Sequence, residues 1–342
     1  MSGWWRRARR SVYFPAVVVA VIAAGAAALF AGSYTYAMAD PAPRHVPVAV
    51  VGEPQSRGRT DVFVGELERR LHASLRVHRF RTYPQAVDAV ERQQVFAIFR
   101  NRGGDRVELK LVSAAGASVA MLLQQDAPAA AKAADIRLTV TDIKPLAQGD
   151  PRGLAIFYIS IAAVIIGFLG TVQLSVNAPA LNPGERVAFT AGYALLGGLA
   201  IIATVDWWLD ALPLPFVQSW GTLALTMFTS GMVFSMFTVL VRRWAILPTW
   251  VLMVMLGNPS SGGAVSWPLL PSVLGEVGRW LPPGASVNAL HTAVYFRGHQ
   301  HWQPYLVLLG WSALACAVFW IWRRRHPGGR PTGEAAAARA AA

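Results

Sequence analysis

The sequence predicts an α-helical polytopic membrane protein of six transmembrane helices, with an extracytoplasmic α/β domain inserted between helices 1 and 2. Three observations carry that prediction. The 342 residues are 54% hydrophobic and only 14% charged, with a mean hydropathy of +0.39, against about 25% charged residues in soluble domains. Residues 40–150 break this pattern, being charged, mixed and periodic at the lengths of soluble elements. The basic residues outside that stretch sit beside apolar runs. Of 31 Lys+Arg and 18 Asp+Glu in the chain, 16 and 13 fall in 40–150, which leaves 15 against 5 elsewhere.

Residues 1–11 form a basic amino-terminal segment containing Arg6–Arg10, expected to be cytoplasmic. Transmembrane helix 1 follows over 12–36, and its uncharged part, Val12–Gly32, is long enough to cross a hydrocarbon core of about 30 Å. Ala37–Ala39 before Asp40 also fits a small-residue cleavage site. Either outcome leaves the next domain outside. Ala20, Ala24, Ala28 and Gly32 recur every fourth residue, a packing stripe against which another helix could lie closely.

Residues 40–150 read as β-α-β-α-β-β-α-β, enough for one compact α/β domain. "VPVAVVGE" is a buried strand, and "DVFVGELERRLHASL" is expected to place Val62, Leu67, Leu71 and Leu75 on one helical face. "RVHRF" is a short strand. Thr82, with Pro84 in the first turn, opens a helix. "VFAIFR" and "VELKLVS" pair about "NRGGD", a helix follows at "ASVAMLLQQ", and "DIRLTVTDI" closes as a strand.

Residues 152–325 then form a five-helix membrane domain. Leu154–Val176, Val187–Val205, Val217–Val241 and Tyr305–Trp322 reach spanning length. In the third of these, Thr226, Thr229, Ser230 and Ser235 are placed for interhelical hydrogen bonds. Trp244–Gly257 is shorter, roughly 21 Å as a helix. It crosses only by continuing into the next stretch, or else it ends inside the membrane. With it, the chain makes six crossings. Arg6–Arg10, Arg186, Arg242–Arg243 and Arg323–Arg325 then share one side, which makes both termini cytoplasmic in a plasma membrane. Residues 40–150, Asp206–Pro215 and the segment 258–300 fall outside. The tail 326–342, rich in Gly and Ala, is expected to be disordered.

Little in the chain points to catalysis. There is no G-x-x-x-x-G-K-[ST] phosphate loop, no H-E-x-x-H and no G-x-S-x-G, so no enzyme, cofactor or metal is expected. Any ATP hydrolysis belongs to another chain. His291, His299 and His301 lack neighbouring acids and read as a polar loop surface. Asp206 and Asp210 read as a charged membrane rim, and Glu276 with Arg279 as a local helical ion pair. Cys316 is a lone apolar-run cysteine. The basic excess lies beside apolar runs, where it favours anionic headgroups, so the expected partner is a lipid membrane and not nucleic acid.

The segment "NPSSGGAVSWPLLPSVLGEVGRWLPPG" (Asn258–Gly284) packs helix breakers between apolar runs. Two short helices are expected in it and just after it, near 271–281 and 285–296. Gly257, Pro259, Gly262, Gly263, Pro268, Pro271, Pro282, Pro283, Gly284 and Asn288 are the candidate residues of a re-entrant or external gate.

In order and density these residues resemble the "G-x-P-x-G-G … L-P … L-P-P-G … N" element before the last span of ABC-2-type exporter membrane subunits. The likeness is to the branch that includes phage-infection protein and related actinobacterial permeases. "VAVVGE" after the first span, and "DIKPLAQGDPRGLAIFYI" (Asp142–Ile159) at the return to the membrane, resemble the same family, and together they cover nearly the whole chain. The resemblance implies a homodimer or heterodimer, a transport path between the halves, and a separate ABC ATPase subunit. It implies a permease exporting an amphipathic or lipid-like substrate. A second expectation stands beside it: a non-transporting surface receptor or secretion scaffold presenting 40–150.

Overall fold

A computed structural model of the chain describes residues 13–38, 43, 45–52, 57–72 and 74–326. The segment 1–11, the Ala39–Asp40 part of the cleavage-like site and the tail from 327 onward lie outside the described residues.

After helix α1 (Phe14–Met38), the order is β1 (Val46–Val51), α2 (Arg57–Leu71), β2 (Leu75–Phe80), α3 (Tyr83–Glu91), β3 (Ala97–Asn101), β4 (Arg106–Leu111), α4 (Ala117–Ala133) and β5 (Arg137–Asp142). This is the order of strands and helices read from the sequence. The strands form one sheet, β2-β1-β3-β4-β5, parallel except for the β3–β4 hairpin. Strand β1 (VPVAVV) is apolar throughout because helices cover both faces of the sheet. Phe63, Leu67 and Leu123 of α2 and α4 fill one side, and Ala86, Ala89 and Val90 of α3 the other. In the hairpin turn Gly103 and Gly104 take φ +92° and +64°, and the Gly103 amide donates to Asn101 Oδ1 at 2.7 Å. Thr82 and Gln85 close the capping box that starts α3.

The helical part contains α5 (Ala155–Asn177), α6 (Pro183–Ile202), α7 (Phe216–Val241), α8 (Ile246–Leu256), α9 (Ser272–Gly278), α10 (Pro282–Tyr295) and α11 (Gln303–Arg325). Among the described residues five helices are long and apolar enough to cross a membrane: α1, α5, α6 with its extension, α7 and α11. The sixth expected crossing, α8, is a shorter apolar helix. Helix α6 continues through a π-helical turn, Ala203–Trp208, so Asp206, expected as part of a charged rim just beyond a span ending at Val205, belongs to the helix.

Helix α7 is the hub, packed by α5, α6, α10 and α11. Small residues let the backbones close in. A Cβ at Gly167 would come 2.6 Å from the Met227 carbonyl oxygen, and one at Gly198 would come 3.0 Å from the Ala224 nitrogen. Hydroxyls tie the same surfaces. Thr226 donates to Ser286 (2.9 Å), Thr229 pairs with Ser312 (2.7 Å), and Ser230 donates to the Val164 carbonyl (2.7 Å). Ser235 is buried, but its hydroxyl has no partner.

Helix α1 touches the rest at Phe30, whose ring lies 5.7 Å from Trp250. Ala20, Ala24, Ala28 and Gly32 are all exposed, and nothing lies within 4 Å of a Cβ at Gly32. Among the described residues no helix packs on that stripe.

A buried Gly/Pro element beneath the sheet domain

The run from α8 to α10 folds into the protein as two short helices and a compact irregular bridge. Asn258, Ser260 and Ser261 are buried. The two serine hydroxyls turn back along the chain: Ser260 Oγ donates to the Leu256 carbonyl at the end of α8 (2.6 Å) and Ser261 Oγ to the Asn258 carbonyl (2.7 Å). Irregular backbone is tolerated at membrane depth when protein covers it. Eleven residues of α10, beginning with Pro282, Pro283 and Gly284, are buried, with Val287, Leu290 and Val294 in one cluster with α5–α7.

Each predicted gate residue has a definite place. Gly257 is a close-packing point, where a Cβ would lie 2.5 Å from Pro283 Cγ. A Cβ at Gly263 would meet the Phe157 ring at 2.9 Å, and Gly262 takes φ +78° against the Trp267 indole. Gly284 lies against the Gly278 carbonyl, and Gly278 against the Ser260 carbonyl, so no side chain fits at either. Pro259 is buried in the bridge. Pro268 lies in the 3₁₀ turn Trp267–Leu269, and Pro271 precedes α9. Pro282 and Pro283 occupy the first turn of α10, where a missing amide costs nothing, so they start a helix instead of breaking one. Asn288 faces the cavity described below. Gly278 was not among the residues singled out from the sequence, yet it is as crowded as any of them.

The sheet domain seats on this element. Leu269 is buried in the domain's own core, with Val265 packed against it. Ser118 and Ser266 hydroxyls lie 3.0 Å apart, and the Ser266 amide donates to Ser118 Oγ at 3.0 Å. Lys144 pairs with Glu91 (2.5 Å) and lies 4.6 Å over the Phe296 ring, while the Ala147 amide donates to the Tyr295 hydroxyl at 3.3 Å. Asp150 sits at the return to the helices. Its two carboxylate oxygens accept the Leu154 and Ala155 amides (3.0 and 2.9 Å), capping α5.

Between domain and bridge is a cavity of about 420 Å³, within the usual range for small-molecule sites. Phe96, Met121, Leu146, Ile156 and Trp267 give it apolar walls, and Arg152, Asn288, His291 and Tyr295 bring polar groups to it. Gly262 and Gly263 also line it, so three of the predicted residues meet here. His291 was read as part of a polar loop surface but belongs to this wall. Burial pushes its imidazole down to about 4, partly offset by a hydrogen bond with the Ala114 backbone. Among the described residues no group of three or more His, Cys, Asp or Glu could hold a metal.

A second, more open cavity of about 790 Å³ shares Gln93, Phe96, Trp267 and Asn288 with the first, and Arg76, Arg279, His45 and His301 edge it. The expected Glu276–Arg279 pair is not formed. Arg279 lies 5.2 Å over the Trp267 ring instead, because an exposed ion pair gains little over a cation–π contact. The chain matches no protein-family model, no curated protein and no solved structure.

Proposed function

We propose that this chain is the membrane-spanning permease subunit of an ABC-2-type exporter. In this reading it moves an amphipathic or lipid-like molecule outward, a separate ATPase supplies the energy, and two copies or two related chains enclose the path. Both termini are cytoplasmic, α8 and its continuation complete a sixth crossing, and the sheet domain stands outside. The observation that carries the reading is the buried element 257–295. It interrupts the membrane part, is covered by the external domain, and walls a cavity with apolar sides and a few convergent polar groups.

The paired cavities suit an amphiphile. Its apolar part is placed among Phe96, Met121, Leu146 and Ile156, and its polar end toward Arg76 and Arg279. The receptor-or-scaffold reading fits less well, because a domain that only presents itself has no need to bury Leu269 of the membrane part in its own core.

The test uses inside-out vesicles carrying the chain, with and without a co-expressed ABC ATPase. ATP-dependent uptake of a fluorescent lysophospholipid only when both chains are present supports the proposal. Uptake that ignores ATP and the ATPase, or none across a panel of amphiphiles, defeats it.

A further inference from the structure

At the end of the bundle opposite the sheet domain, α5 finishes, α6 begins and α11 finishes. Arg186, in the first turn of α6, is only 6% exposed. Its guanidinium has five N–H donors, of which Nη1 bonds Ser175 Oγ of α5 at 2.6 Å, while Nε is buried with no partner. No carboxylate lies within ion-pair distance of it among the described residues. The neighbouring Glu185 turns away to accept the Asn182 amide at 2.9 Å. Close enough to repel Arg186 is Arg323, in the last turn of α11, whose Nε is likewise buried and unpartnered. A buried charge without a counter-charge is costly, and the Arg323 guanidinium is held 5.9 Å over the Phe319 ring of its own helix, with no carboxylate among the described residues to answer either cation.

We infer that Arg186 and Arg323 form a seat for the phosphate of an anionic phospholipid headgroup. A tetrahedral oxyanion suits the donors left free, because guanidinium groups bind phosphate in a fork. The seat lies where headgroups lie. Trp320 reaches within 3.9 Å of a Cβ at Gly184, beside the start of α6, and Arg324 stacks 5.8 Å over the same indole, as amphipathic aromatics do at membrane interfaces. One turn before Ser175, Val172 joins Phe234 and Thr238 in an open groove of about 500 Å³ edged by Arg242 and Arg243, which offers an acyl chain an adjacent apolar surface. The bound lipid ties α5, α6 and α11 together at this end. The inference is independent of transport.

The test is native mass spectrometry of the purified full chain, titrated separately with phosphatidylglycerol, phosphatidylcholine and inorganic phosphate. The wild-type chain retains phosphatidylglycerol at least about tenfold better than phosphatidylcholine, whose own cation masks its phosphate. Arg186→Gln abolishes that preference, and Arg186→Lys, which keeps the charge and loses the fork, retains only part of it. Should Arg186→Gln fail to fold, Arg323→Gln gives the same reading. Equal retention of the two lipids, or undiminished phosphatidylglycerol binding by both glutamine variants, overturns the assignment. So does inorganic phosphate binding as tightly as the lipid, which makes the seat one for a free anion. A co-purifying acidic protein released by Arg186→Gln without any lipid preference also overturns it.

Discussion

Replacing Gly278 by alanine tests the packing of the irregular bridge at its tightest point. A Cβ there falls inside the van der Waals radius of the Ser260 carbonyl. That carbonyl cannot move freely, because it accepts Trp267 Nε1 at 3.3 Å and the Ser260 hydroxyl is tied to the Leu256 carbonyl at 2.6 Å. The Gly278 carbonyl is itself held against Gly284. The obstacle is therefore backbone on both sides. Overpacking costs about 1–3 kcal/mol, and losing the indole hydrogen bond adds roughly 1 kcal/mol. Gly275 in the same short helix is the control. Its Cβ would lie 3.4 Å from the Trp267 carbonyl oxygen, an ordinary contact, and alanine there gains about 0.5–1 kcal/mol of helix propensity. Cys316 is the only cysteine in the chain, so a thiol-reactive dye reports unfolding from one site. Gly275→Ala unfolds at or above the wild-type temperature, and Gly278→Ala about 4–8 °C below it. If the two variants unfold together, or Gly278→Ala matches wild type, the account of the bridge as a close-packed element is wrong.

Other perturbations reach its surroundings. Asp150→Ala removes the acceptor of two amides and costs about 0.5–2 kcal/mol, while Asp150→Asn keeps much of the cap; the same dye assay reads both. A double-mutant cycle with Thr226→Val and Ser286→Ala yields a coupling of about 0.6 kcal/mol and no more than about 1.7 kcal/mol, measured by unfolding in detergent; a coupling of zero removes that bond from the account. Burial holds His291 near 4, below its ordinary 6.5, so the folded chain binds fewer protons than the unfolded one in that window. The site's contribution is full above 6.5 and is lost as the pH falls toward 4. His291→Gln therefore flattens the fall in unfolding midpoint between pH 7 and 4.5, and an unchanged slope refutes this.

The sheet domain was legible because its signals are local. The strand pattern of "VELKLVS", Thr82 ahead of Pro84 and the glycines of "NRGGD" each act within a few residues. The two short helices after Pro271 were legible for the same reason. What packs on them was not. Nothing near Leu269 says that it fills a core formed by strands more than a hundred residues earlier, and nothing near His291 says that Ala114 lies opposite. Helix α10 is mostly small and apolar, which signals burial without naming the neighbour. The Glu276–Arg279 expectation failed because helix spacing takes no account of Trp267, brought up by the 3₁₀ turn. The span was ended at Val205 because Asp206 is charged, whereas the helix runs on through Asp206 to Trp208 and Trp207 stacks on Phe216 of the next helix at 6.0 Å.

The gate reading stands or falls on whether the sheet domain must part from the bridge during transport. Ser118 and Ser266, with hydroxyls 3.0 Å apart, allow a direct measurement. Both are changed to cysteine on a Cys316→Ser background, and ATP-driven uptake of fluorescent lysophospholipid into inside-out vesicles is followed before and after oxidation. The account predicts that the cross-link stops uptake and that reduction restores it. Full uptake with the cross-link formed would contradict it.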